Sequence, residues 1–197
     1  MLNGSMLGSL ILSKMQSKGI KGTSVPNFSQ ALGQGIVESF LKTNKVVSLD
    51  TGIMSKGDGK GKLVGMMNKQ LTELTYGLMQ AQGFKGTMLK TMISCVSEAV
   101  CQHFMSKTEV ITFHFGVAVG TGTGKILGIN PNKMGQQIVD KMTSKNIGGV
   151  SMEPLAKSFA AALCTHLLTT AKLNITITGG PSPLPLPSAG MGLGKCY

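Results

Sequence analysis

The chain repeats one unit three times, and this constrains its fold more than any other feature of the sequence. Three segments carry the pattern G-x-G-x-G-K, and the residues upstream of the pattern also match in order. Phe40, Phe104 and Leu167, for example, align at offsets of 64 and 63 residues. Because several matched features recur in one order, we infer a triplication, so the fold must be one unit built three times. The predicted units are 1–66, 67–129 and 130–197, the last with a proline-rich C-terminal tail.

Each unit is predicted to be α-α-β-loop-β, which makes the chain an α+β protein with three tandem copies of about 63 residues. The first helix of each copy has apolar residues at helical spacing and ends at Gly19, Gly83 or Asn146, residue types that tolerate a left-handed backbone. A more apolar second helix and an alternating strand follow. The predicted second helices are 26–41, 88–105 and 153–169, and the predicted strands are 45–51, 109–115 and 172–178.

The glycine pattern itself is predicted to form loops that lead into short return strands, 62–66 and 125–129 in the first two copies. It fits neither phosphate-binding motif: Ile126 follows Gly124-Lys125 where a P-loop needs Ser or Thr, and no helix follows the loop. We therefore expect these loops to contact neighbouring subunits, with an anion nest of Lys and backbone amides as the alternative. The predicted interaction residues are Gly57, Gly59, Gly61, Lys62, Gly120, Gly122, Gly124, Lys125, Gly190, Gly192, Gly194 and Lys195.

The charge of the chain is carried by lysine alone. The 197 residues include 19 Lys, no Arg and 8 acidic residues, which gives a formal net charge of +11. Arg is the usual residue for bidentate recognition of guanine and phosphate, so its absence argues against a sequence-specific DNA reader. The charge is +5, +2 and +4 in the three units, so it is spread along the chain. Such a distribution favours a structural protein, and a non-specific nucleic-acid or anion binder remains the alternative.

No catalytic or metal-binding constellation is predicted. Cys101/His103 align with Cys164/His166, but residues two apart on a helix point in directions about 160° apart, so each pair is a poor chelate. The first unit has Glu38 and Ser39 in the corresponding places, and the carboxylates do not recur at matched positions. We therefore predict no enzyme activity, no cofactor, no bound zinc and free thiols in a reducing cytosol.

Three features distinguish the sequence: the triplicated unit, the long Gly/Thr segment 116–128 and the proline-rich tail 181–197. In these features it resembles small virion structural proteins of tailed bacteriophages, those of the neck, connector, tail or baseplate. The resemblance implies a homo-oligomer that assembles with other virion proteins and is made in the host cytoplasm. We expect the loops and the tail to become ordered on a neighbouring subunit, with strand addition as one mode of contact. The longest apolar stretch, 158–170, is too short to span a bilayer, so we expect a soluble protein.

Overall fold

A computed structural model describes residues 1–53, 56–117, 119–178 and 188–197 as six helices and six strands in the order α-α-β-β, three times. This confirms the predicted α+β class and the triplication. The first unit holds α1 (Gly4–Ser17), α2 (Val25–Thr43), β1 (Lys45–Ile53) and β2 (Lys56–Val64). The second holds α3 (Asn68–Ala81), α4 (Thr87–Lys107), β3 (Glu109–Val117) and β4 (Val119–Leu127), and the third holds α5 (Pro131–Ser144), α6 (Met152–Thr170), β5 (Leu173–Thr178) and β6 (Ser188–Cys196).

The first helix of every unit ends in the left-handed backbone that the sequence predicts. Gly19, Gly83 and Asn146 have φ values of 79°, 85° and 56°, and each is followed by an N–H that bonds back to the last helical turn. Asn146 is the one described non-glycine residue with positive φ, and asparagine tolerates this conformation better than most residues. The three helix hairpins therefore turn in the same way, which places the second helices in equivalent positions.

The six helices form a closed ring in which every helix packs against its two neighbours in sequence and α1 packs against α6. Glycine permits close approach in this ring: a Cβ on Gly33 of α2 would lie 2.4 Å from the backbone nitrogen of Gly8 of α1. The second helix of each unit, α2, α4 or α6, carries one of the aligned residues Phe40, Phe104 and Leu167, all of which are buried. The Phe40 and Phe104 rings meet edge to face at 6.0 Å, so residues from matched positions form one shared core.

The strands of the three units form a single closed antiparallel barrel in the order β1-β2-β3-β4-β5-β6. Closure joins the first unit to the third: β1 pairs with β6 from Val46↔Gly194 to Gly52↔Ser188. The buried Asn44, just before β1, fixes this junction by accepting from the Cys196 N–H at 2.7 Å and donating to its carbonyl at 3.1 Å. The units are thus parts of one cooperative barrel.

The structure differs from the sequence prediction in the glycine segments. They are strands, because β2 and β4 begin at Lys56 and Val119, where loops were expected, and run to Val64 and Leu127. The physical reason is that a narrow barrel needs strands without side chains on the inner face, which makes an apparently flexible sequence regular. The predicted tail 181–197 also differs from residue 188 onward, because Ser188–Cys196 is the strand β6. The four prolines of the tail lie outside the described residues.

Candidate functional site

The inner face of the barrel pairs side chains from one set of strands with glycines from the other. β1, β3 and β5 supply the inward side chains, whereas β2, β4 and β6 supply inward glycines. A Cβ on Gly59 would lie 2.2 Å from Asp50 Oδ1, and one on Gly57 would lie 2.5 Å from His114 Nε2. The G-x-G-x-G pattern is therefore explained by the lack of space inside the barrel rather than by loop flexibility.

A buried polar cluster lies in this lumen. Ser48 donates to Asp50 Oδ2 at 2.6 Å, the Thr112 hydroxyl donates to Asp50 Oδ1, and His114 Nδ1 lies 3.4 Å from the same oxygen. The four side chains are at most 1% exposed, and neither ring nitrogen of His114 makes a hydrogen bond to a described residue. The two hydroxyls stabilise the carboxylate, and the cluster ties β1 to β3 across the lumen.

The Asp50–His114 contact is not predictable from local sequence, because the two residues are far apart in the chain and meet only when β1 and β3 share one lumen. The signal available was the alignment of the three strands, which places Ser48 with Thr112 and Asp50 with His114 on inward positions. The third unit has Ile175 and Ile177 at those positions, so the lumen is polar on two sides and apolar on the third.

The aligned histidines hold the connections between units. His103 Nε2 accepts from the Asn130 N–H at 3.2 Å, and His166 Nε2 accepts from the Asn3 N–H at 3.1 Å. Asn130 and Asn3 are the N-cap residues of α5 and α1, so the same contact joins unit two to unit three and unit three back to unit one. Burial lowers the pKa of both histidines, because it disfavours the charged imidazolium.

The structure places Cys101 and His103 on α4 and the aligned Cys164 and His166 on α6. No group of three or more His, Cys, Asp or Glu side chains among the described residues could hold a metal ion. The structure also corrects the alignment of the first unit with the second. The C-cap residues Asn44 and Thr108 are equivalent, so Val37 and not Glu38 aligns with Cys101. Burial raises the pKa of Cys101 to about 11 and of Cys164 and Cys196 to about 12. These three residues, the core thiols, are free and buried.

The outer face of the barrel carries large apolar side chains in contact with solvent. Leu49 is 71% exposed, Met191 52% and Leu193 58%, and with the half-buried Val47 they lie on the adjacent strands β1 and β6. Leu49 pairs with Met191, and Val47 pairs with Leu193, so the four form one contiguous patch. Four outward lysines surround it. The β6–β1 face is defined as Val47, Leu49, Met191 and Leu193 with Lys45, Lys60, Lys62 and Lys195.

A second exposed apolar feature lies on β3. Phe113 is 48% and Phe115 63% exposed, and Phe115 lines an open groove of about 890 Å³ across β4 and β5. The floor of this groove is polar, with Thr121, Thr123 and Thr176 outward, and its other side is formed by Leu193. The outer surface of the barrel thus carries exposed apolar side chains on β1, β3 and β6, in contrast to the packed lumen.

The predicted interaction residues divide into two groups. The nine glycines face the lumen or its mouth, where they are spacers between strands. The three lysines of the pattern, Lys62, Lys125 and Lys195, point outward near the helix end of the barrel. A role of the lysines in subunit contacts stays a prediction, and of the three only Lys62 and Lys195 border the apolar patch.

No protein-family model, no curated protein and no solved structure matches the chain. Among the described residues, no helix is both long enough and apolar enough to cross a bilayer.

Proposed function

We propose that the chain is a structural assembly protein, a virion component of a tailed phage at the neck, connector, tail or baseplate, which acts through contacts with other subunits. The observation that carries the proposal is the apolar outer surface of a closed barrel, where Leu49, Leu193 and Phe115 are each more than half exposed. Clustered apolar side chains of this size on an outer surface are typical of sites that a partner protein covers.

Barrel closure defines how such contacts form. Each of the six strands pairs on both sides, so the barrel has no free edge to which a partner strand could add. The strand addition expected from the sequence is therefore not available at the barrel. Docking instead uses side chains that already stand on a rigid surface, which reduces the entropy lost on binding.

The second candidate function is non-specific binding of nucleic acid, favoured by the net charge of +11. Lysine neutralises phosphates without reading sequence, and its contribution to affinity falls steeply with salt. The β6–β1 face fits this function poorly, because its centre is aliphatic and single-stranded nucleic acids are bound largely by stacking on aromatic rings.

The test is the mass of the native particle that copurifies with the full-length chain. Assembly predicts a defined multi-subunit mass that persists in high salt and after nuclease treatment. The rival predicts a 20.6-kDa monomer that binds DNA with a steep salt slope, and that outcome would refute the proposal. Deleting the proline-rich tail 181–197 would not test the expected role of the tail in assembly, because the deletion also removes β6 and opens the barrel.

A further inference from the structure

The threefold repeat of the backbone is not matched by its outer surface. The barrel has three junctions between units, β2–β3, β4–β5 and β6–β1. At matched outward positions, β2–β3 carries Lys and Asp on one strand and Ile111, Phe113 and Phe115 on the other, and β4–β5 carries Thr and Asn. Among the described residues, only β6–β1 carries four aliphatic side chains together on the outer face. Folding of the barrel does not require them, because they point away from the lumen and three of the four are more than half exposed.

Two lysines at the edge of the β6–β1 face lower the stability of the isolated chain. Val46 and Gly194 are paired; Lys45 precedes Val46 and Lys195 follows Gly194, so on these antiparallel strands the two lysines point outward side by side. Like charges at such positions destabilise a sheet. Among the described residues, no carboxylate lies within ion-pair distance of Lys45, Lys60, Lys62 or Lys195, so the chain does not compensate this cost itself.

We infer that the β6–β1 face is the docking site for another protein, which presents an exposed segment with aliphatic side chains flanked by Asp or Glu. The inference rests on the proposed assembly function and specifies its partner. The aliphatic side chains of the segment cover Val47, Leu49, Met191 and Leu193, and its carboxylates lie against the surrounding lysines. The segment binds once per chain, because the other two junctions lack this combination of residues.

A second copy of this chain does not supply such a segment. Its 8 acidic residues are scattered, and Glu38, Glu73, Glu98 and Glu153 already pair with lysines of the same chain. Asp50 is buried in the lumen. A twofold contact between two β6–β1 faces would also bring their lysines together, and the repulsion would oppose the gain from apolar burial.

The experiment selects a random dodecapeptide library against the immobilised full-length chain and sequences the enriched peptides. We expect aliphatic residues flanked by Asp or Glu. Binding of an enriched peptide is then measured by fluorescence anisotropy. Leu49→Ser/Leu193→Ser should weaken it by at least about tenfold, because two exposed leucines lose their apolar contact. Lys45→Glu/Lys195→Glu should weaken it by about fivefold or more, through loss of the charge pairs.

The matched control is Lys125→Glu/Lys172→Glu, the equivalent lysine pair at the β4–β5 junction. Lys125 follows Gly124, Lys172 precedes its partner Leu173, and both lysines are exposed. This control should leave binding unchanged, and all three variants should keep the wild-type denaturation midpoint because the altered side chains are exposed. The inference is overturned if no acidic-aliphatic peptides are enriched, if the control weakens binding equally, if oligo-dT displaces the peptides completely, or if the face proves to be buried in a homodimer. If the native particle still forms with the β6–β1 variants, this inference alone is overturned. If the chain binds the peptides but forms no particle, the proposed assembly function is overturned.

Discussion

Replacing Gly59 by Ala should destabilise the protein strongly, although the same change usually stabilises a chain. Gly59 has ordinary extended backbone, so alanine meets no backbone strain there. The new methyl group would lie 2.2 Å from Asp50 Oδ1 and 2.5 Å from the Leu49 carbonyl oxygen. The carboxylate is fixed by hydroxyl groups of Ser48 and Thr112, and the carbonyl belongs to the paired strand β1, so neither can move away cheaply.

The expected cost follows from overpacking, which is about 1 to 3 kcal/mol for one added methyl group in a filled core. We expect about 3 kcal/mol, because both nearest groups are held in place. At about 2 to 4 °C per kcal/mol for a chain of this length, the melting temperature should fall by about 6 to 12 °C. The control is Gly77→Ala on the exposed side of α3, where a Cβ would meet nothing within 4 Å. It should stabilise the helix by about 0.5 to 1 kcal/mol.

Both variants are compared with the wild type by urea denaturation followed by far-UV circular dichroism. The prediction is a difference in sign: a lower midpoint for Gly59→Ala and a higher one for Gly77→Ala. If Gly59→Ala were as stable as the wild type while Gly77→Ala behaved as expected, the lumen would have room for a methyl group. The explanation of the glycine pattern by close packing would then be wrong.

Three further predictions follow from buried groups and from closure. Lowering the pH below about 6.5 should lower the denaturation midpoint. The folded state keeps His103 and His166 neutral because their pKa values are lowered, whereas the unfolded chain protonates them. The variant His103→Gln/His166→Gln should show a weaker dependence of the midpoint on pH. The core thiols should resist a maleimide reagent in the native protein and react fully in denaturant, because burial raises their pKa and blocks access. A circular permutant that carries Met1→Gly, joins Tyr197 to position 1 and opens the chain between residues 66 and 67 should fold cooperatively. The glycine is needed because position 1 aligns with Gly65 and Gly128, whose φ values are 81° and 78°. An aggregated or molten permutant would argue against closure.

Local patterns were sufficient to predict the helices and the repeat. Helical spacing and the matched Gly19, Gly83 and Asn146 depend on residues close in sequence, and the structure agrees with them. The barrel could not be derived in the same way, because closure depends on pairing between β1 and β6 at opposite ends of the chain. A glycine-rich segment is typical of a loop when it is considered alone, and it becomes a strand only when its neighbours fill the space that its missing side chains leave.

The candidate site was less predictable still. The exposure of Leu49 and Leu193 follows from the barrel, since alternation alone does not say which face of a strand is outside. The Asp50–His114 contact likewise needs β1 and β3 on one lumen. Lysine positions were visible in the pattern, but their grouping around an aliphatic patch required the strand order.

Closure of the barrel is the central claim, because the β6–β1 face exists only if β6 pairs with β1. Amide hydrogen exchange measured by NMR on the isolated full-length chain tests it directly. Closure predicts slow exchange at the β6 amides that pair with β1 and β5, with protection similar to that of the paired amides of β3 and β4. Rapid exchange throughout residues 188–196, with β3 and β4 still protected, would show a free tail that waits for a neighbouring subunit and would contradict the closed barrel.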